Sequence, residues 1–441
     1  MSNFKKNLLS IYGVNLINGF AGIAFIPLAL KGLGPEKYGL YSIFTLMTSY
    51  IYFIEMGVSK YFIRSLAQEN DIESQKKQMQ TAVGVYSKIT LILLLITPVL
   101  LYIVPNFIFP IEGSNQIIII IVIFAIVDYF LSIPVAILLL YNTGNEKFLS
   151  ISKYNLISGL SRHLFMIVGV LIFDSLIIVL TIVTIRGLFE IFYAFKYLDP
   201  LPRGAWLPIY EKGKFKEIIS QSIFLSAAQL SQVTVIMLGT YLVNKNFSLR
   251  DLGIYKSAFD LSNKVWFFSN GLGLVIFPRF SALNAVKEKR MELLSNLIKY
   301  NHISWIIFNL LFIFSIALLP LLSNIFIIEN ELLFTWLLLG VCLNAHSNLS
   351  YEFLQADKKL KEIIVMNLIV LLIIYFGFYL MFDSLGLLAI AISWFISQFL
   401  YSFILDFIVF KNIKTQISLS VSGMNLLIFI VSFSAYLFFG K

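Results

Sequence analysis

Nine charged side chains set within long apolar stretches of this chain stand out, and their types and spacing bound the chemistry open to it. Five are cations: Lys88, Arg162, Arg186, Lys256 and Lys264. Four are acids: Glu55, Asp128, Glu190 and Asp260. A charge on an apolar helix is costly against lipid, so each should face protein or water. Lys256, Asp260 and Lys264 are spaced by four, which stacks them on one helix face. Arg186 and Glu190 are likewise i, i+4, and Arg162 is followed by His163. The five cations are therefore candidates for lining an internal passage. The four acids are candidates for balancing them, or for carrying a coupling proton or sodium ion. A second reading stands beside the first. Arg186/Glu190 and the Lys256/Asp260/Lys264 ladder also fit structural ion pairs that neutralise one another between helices, and Glu55 fits a local partner of Lys60 or Arg64. The histidines His163, His302 and His346 are scattered without metal-ligand spacing. They read as hydrogen-bonders between helices ahead of proton relays.

The elements that must position these groups follow from composition. The 441 residues are 59% hydrophobic and 13% charged, with a mean hydropathy of +0.86. Apolar runs of about 20 residues recur from end to end, the pattern of a polytopic helical membrane protein. Runs such as Gln116 to Val127 show no alternation, which excludes a β-barrel. The single cysteine, Cys342, excludes internal disulfides and cysteine-based metal clusters. The net charge of +9 does not point to nucleic acid, because the basic residues cluster in loops beside the apolar runs. No cleavable signal is evident. No Walker-type phosphate loop occurs, and the longest loop has room for no catalytic domain, so no enzyme and no cofactor are expected.

Thirteen apolar segments are expected, at roughly 8–30, 40–63, 79–103, 115–140, 150–172, 175–197, 216–243, 252–281, 293–322, 330–355, 361–382, 385–410 and 417–439. With a cytoplasmic N-terminus, 23 of the 33 Lys and Arg fall in inner segments and 5 in outer ones; the rest are the five cations within spans. That asymmetry is a strong orientation signal. The halves repeat weakly. Gly39-Leu40-Tyr41 and Gly253-Ile254-Tyr255 head the second span of each half, and Asn142–Lys147 answers to Gln355–Lys359. An even offset of six spans makes the halves parallel. The expected organisation is a six-helix lobe at 1–197, a cytoplasmic linker at 198–215, a second six-helix lobe at 216–410 and an added segment at 411–441.

Leu33 to Ser42, the Glu55-Met56-Gly57 step, Arg64, Gly253-Ile254-Tyr255 and Phe277-Pro278-Arg279-Phe280-Ser281 together resemble Wzx-type polysaccharide flippases. These are the O-antigen and capsule exporters of the multidrug/oligosaccharidyl-lipid/polysaccharide superfamily. The resemblance implies a MATE-like all-α bundle of two parallel six-helix lobes around a central cavity in the bacterial cytoplasmic (inner) membrane. It implies flipping of undecaprenyl-diphosphate-linked oligosaccharide by alternating access, with membrane lipids, a polysaccharide polymerase and chain-length machinery as partners. The thirteenth span departs from the usual even number. For such a substrate, the cations would meet the diphosphate. Asn15, Asn18, Ser49, Tyr50, Tyr52, Gln221, Gln229 and Gln232 would meet sugar. Alternatives are a cation-coupled multidrug exporter of the same superfamily, a lipid II flippase (typically fourteen spans) and a membrane-embedded polymerase or acyltransferase. Stacked cations argue against the exporter, and the lack of a large outer loop argues against the enzymes.

Overall fold

The structure is a computed structural model. It describes residues 2–69, 71–110, 115–173, 175–210, 213–266, 269, 290–317, 319–326, 329–357 and 359–410. Every regular element among these residues is helical. Ten of the helical segments, from Gly13–Tyr52 to Leu388–Val409, have the length and composition to cross a membrane. The expected span at 417–439, the Phe277–Ser281 motif and the end of the 252–281 span lie outside the described residues.

The first two expected spans form one long element, α1 (Ser2–Leu66), broken at Gly34. Gly34 has φ 73° and ψ 165°, a backbone shape that a side chain resists. Pro35 then starts the second half, where its missing N–H is no loss. The next helix, α2 (Ile72–Ile103), is capped by Asp71, whose side chain accepts from the Ser74 N–H at 3.0 Å. It runs into a π turn at Val104–Ile108 that holds Pro105. After these come α3 (Asn115–Gly144), α4 (Phe148–Ile172), α5 (Leu176–Tyr197), α6 (Lys214–Asn246) and α7 (Leu249–Ser262). A 3₁₀ turn, Asn263–Val265, ends α7. The remaining helices are α8 (Arg290–Ala317), α9 (Leu319–Phe326), α10 (Glu331–Ala356), α11 (Leu360–Leu385) and α12 (Leu388–Phe410). Asn330 caps α10 by accepting from the Leu333 N–H at 2.9 Å.

Two compact units divide at residue 253, as Met1–Gly253 and Ile254–Lys441. In the first, α1 packs on α3, α4 and α6, while α3 and α4 both pack on α5. Its core includes Phe62, Met79, Tyr86, Leu138, Tyr154 and Ala194. In the second, α10 packs on both α8 and α12, and α11 packs on α12. Of the ten span-length segments, α10 is the most enclosed.

The segment between α5 and α6 is laid along α2 instead of looping away. The Gln80 amide donates to the Gly204 carbonyl at 3.2 Å, and the Ile209 N–H donates to the Gln80 carbonyl at 3.1 Å. Gly84 makes room, since a Cβ there would meet the Ile209 carbonyl. Asn142, at the end of α3, pins the start of this segment. Its amide N–H donates to the Asp199 carbonyl at 3.0 Å, and its oxygen accepts from the Asp199 N–H at 2.9 Å.

The two glycines of the weak repeat, Gly39 in α1 and Gly253 in α7, lie where the backbone of residues 35–39 approaches that of residues 249–253. A Cβ on Gly39 would strike the Leu249 carbonyl, and one on Gly253 would strike the Pro35 carbonyl. Glycine at both places lets the two backbones touch.

Candidate functional site

The first unit assembles four of the nine sequence-chosen charges. Arg186 on α5 is 1% exposed. It pairs with Glu190 one turn away and reaches Asp128 of α3 at 3.7 Å. The i, i+4 spacing supplied the first contact, and only the packing of α3 on α5 supplied the second. Each acid is held further. The Tyr52 hydroxyl of α1 donates to Asp128 Oδ2 at 3.1 Å, and the Ser158 hydroxyl of α4 donates to Glu190 Oε1. A buried carboxylate needs such partners, because desolvation is otherwise prohibitive.

Arg162 on α4 differs from Arg186 in being exposed. Glu190, Asp128, Tyr52 and Tyr41 all lie within electrostatic reach of it. It has no salt-bridge partner within 4 Å among the described residues. Two acids and two arginines thus balance to neutrality, with Arg186 enclosed by the acids and Arg162 at the accessible edge. Such an edge arginine can take an anion without first breaking a pair.

The other sequence-chosen groups sit elsewhere. Lys88 lies over the rings of Tyr210 and Phe215, 5.2 and 5.1 Å from their centroids. It therefore holds the α5–α6 segment against α2 by cation–π contact. In the second unit, Lys256 meets Asp260 at 2.7 Å and sits 5.6 Å from the Phe259 ring centroid. The third member of the expected ladder, Lys264, lies just beyond α7. α7 stops at Ser262 and Lys264 sits in the 3₁₀ turn that follows, where Asp260 and Lys256 act on it electrostatically. The side chains of Glu55 and Gln221 lie outside the described residues. Asn18 donates to the Asn155 carbonyl at 3.0 Å, with Gly159 making the room. Gln229 is buried on α6, and its oxygen has no hydrogen-bond partner among the described residues.

Sequence reasoning passed over Asp406. It lies near the end of α12, five residues before Lys411, and so resembles an interface residue. The structure buries it against His346 of α10 at 3.2 Å. The signal was present, since Asp406 is an acid within an apolar run like the four that were chosen. Among the described residues, no three metal-ligating side chains gather.

Comparison with known proteins places this geometry in a family. A family model described as "Polysaccharide biosynthesis protein" matches residues 4–284. No curated protein sequence matches. Among solved structures, an inward-facing multidrug resistance MATE family transporter of the MOP superfamily is similar, with a TM-score of 0.65 and 14% identity over 90% of this chain and 95% of that one. The lipid II flippase MurJ, in an inward closed conformation, gives a TM-score of 0.66 and 13% identity over 97% of each chain. The eukaryotic MATE transporter AtDTX14 gives 0.63 and 12% over 96% of this chain and 98% of that one. At such identities the likeness is one of fold: an all-α, multi-pass membrane bundle of MATE type. The resemblance drawn from the sequence motifs holds at the level of family and fold, and the chain belongs to the polysaccharide biosynthesis protein family.

Proposed function

We propose that this protein is a flippase that moves undecaprenyl-diphosphate-linked oligosaccharide repeat units, of O-antigen or capsule type, across the bacterial cytoplasmic membrane by alternating access. The observation that carries the reading is Arg162, an accessible arginine beside the buried cluster of Asp128, Arg186 and Glu190, whose one excess negative charge it balances. A diphosphate is an anion that a guanidinium binds through two parallel hydrogen bonds. Asp128 and Glu190 stay paired with Arg186 and act on Arg162 only at a distance, so it can turn to the diphosphate without losing an ion pair. The tyrosines around it, Tyr41 and Tyr52, offer hydroxyls and ring faces to sugar. Family membership supports a role in polysaccharide assembly, and the MATE-like fold supports transport over catalysis. The cytoplasmic N-terminus, the two six-helix lobes at 1–197 and 216–410, the partnership with a polymerase and chain-length machinery, and gradient coupling belong to the same proposal.

Deleting the protein in its source bacterium tests the proposal, with surface polysaccharide and polyprenyl-diphosphate oligosaccharide both measured. The expected result is loss of polymer, with the lipid-linked intermediate held on the inner face. Wild type rescues, and Arg162→Ala does not. Normal polysaccharide with new sensitivity to cationic dyes would overturn the flippase and favour drug export.

A further inference from the structure

The interior of the second unit holds an ionisable pair that the proposed substrate site does not use. His346 on α10 and Asp406 on α12 are 1% and 2% exposed, and their Nε2 and Oδ2 atoms are 3.2 Å apart. Each is held by neutral groups from neighbouring helices. The Ser350 hydroxyl of α10 donates to Asp406 Oδ1 at 2.5 Å. The Asn301 amide of α8 donates to Asp406 Oδ2 at 3.0 Å. The Ser304 hydroxyl of α8 faces His346 Nδ1 at 3.1 Å. The Trp305 ring lies against the imidazole, 4.4 Å between centroids. Three helices therefore converge on one pair.

We propose that His346 and Asp406 form a proton-binding site through which transport is coupled to the proton gradient. The geometry suits both protonation states. With one proton shared, imidazolium and carboxylate neutralise each other, and Ser304 accepts from Nδ1–H. When the proton leaves, the imidazole is neutral and Asp406 keeps two donors, Ser350 and Asn301, that hold a carboxylate without a counter-charge. Ser304 serves either tautomer, because a hydroxyl both donates and accepts. A site built for structure alone needs only one of these states to be satisfied. The proton comes from water on one side and returns to water on the other, with no bond formed or broken beyond N–H or O–H. Both groups are enclosed, so exchange requires α8, α10 and α12 to part. That requirement ties proton passage to a conformational step.

The groups facing the pair are Asn301, Ser304 and Trp305 from α8, Ser350 from α10, and Phe403 of α12, which meets the Trp305 ring at 5.8 Å. Next along the same helices, Tyr351 and Tyr401 act on each other, and Glu352 acts on Tyr351. A bound sodium ion fits less well, because a cation beside the carboxylate would stand against the protonated ring. This inference rests on the transport reading for its coupling half only.

The experiment has two arms. In the first, intrinsic tryptophan emission of the purified protein is titrated over roughly pH 4 to 9, spanning the range in which histidine changes charge. An imidazolium against the Trp305 ring quenches it. A pH-dependent step is expected that disappears in His346→Gln, Asp406→Asn and Trp305→Phe. Asp406→Asn keeps the size and much of the bonding of the acid, so it guards against simple misfolding. A step that survives in all three variants, or no step in wild type, overturns the proton site whatever the cargo. In the second arm, flipping of polyprenyl-diphosphate oligosaccharide in proteoliposomes is measured with and without an imposed pH gradient. The gradient is expected to accelerate wild type and to leave Asp406→Asn unchanged. Equal stimulation of both overturns the coupling while leaving the flippase standing. Absence of any flipping, with the fluorescence step intact, overturns the flippase and not the proton site.

Discussion

Arg186 and Arg162 are 24 residues apart on neighbouring helices, yet they invite opposite outcomes. Arg186 is enclosed between Asp128 and Glu190. Replacing it by leucine strands two carboxylates in a dry interior, and breaking a buried pair in this way costs about 3–5 kcal/mol. Arg186→Leu should therefore lower the thermal midpoint of the detergent-purified protein sharply. Arg162 is accessible and makes no close ion pair, so its removal breaks no buried contact of that kind. Arg162→Ala should unfold near the wild-type midpoint while failing to restore polysaccharide. If its midpoint falls as far as that of Arg186→Leu, both arginines are structural and the diphosphate site is lost. Lys88 belongs with neither, since Tyr210 and Phe215 take its charge.

Backbone contacts decide matters at the level of elements. Gly253 lies against the Pro35 carbonyl, where no flexible side chain can give way. Gly253→Ala should destabilise by about 1–3 kcal/mol, the range for overpacking. Gly13 on α1 has open space around it, so Gly13→Ala removes a helix-interior glycine and should stabilise by about 0.5–1 kcal/mol. Opposite shifts of the two midpoints would confirm that approach of backbones, not glycine as such, matters at 253. The segment on α2 gives a second test. Gly84→Leu has no room beneath the Ile209 carbonyl, so it should lift that segment and speed tryptic cleavage after Arg203 several-fold in inside-out vesicles. Unchanged cleavage would mean that the Asn142–Asp199 bonds alone hold the segment down.

For the whole molecule, the charge asymmetry makes a claim about sidedness. In a Cys342→Ser background, a membrane-impermeant maleimide added to intact cells should label Arg250→Cys and spare Lys147→Cys. Both parent side chains are accessible, so the contrast reports the membrane and not burial. The reverse pattern would invert the protein. Polar content is also spread unevenly between the units. The first gathers its charges from α3, α4 and α5. The second threads a polar helix, α10, through its middle, with Asn344 donating to Gln398 at 2.6 Å and His346 meeting Asp406.

The sequence by itself determined the membrane class and the positions of most spans, and it offered the Arg186–Glu190 and Lys256–Asp260 pairs as one of two readings. All of these follow from local quantities: the length of an apolar run or a spacing of four on one helix. Family motifs added the kind of bundle. Tertiary structure alone decided which acid joins Arg186 from α3 and which arginine stays accessible. It also decided that Lys88 belongs to the α5–α6 segment, that Gly39 and Gly253 mark a contact between two chain segments, and that His346 meets Asp406 sixty residues away. Those contacts join residues far apart in the chain. Helical periodicity shows which residues share a face, but only packing decides which helix that face meets.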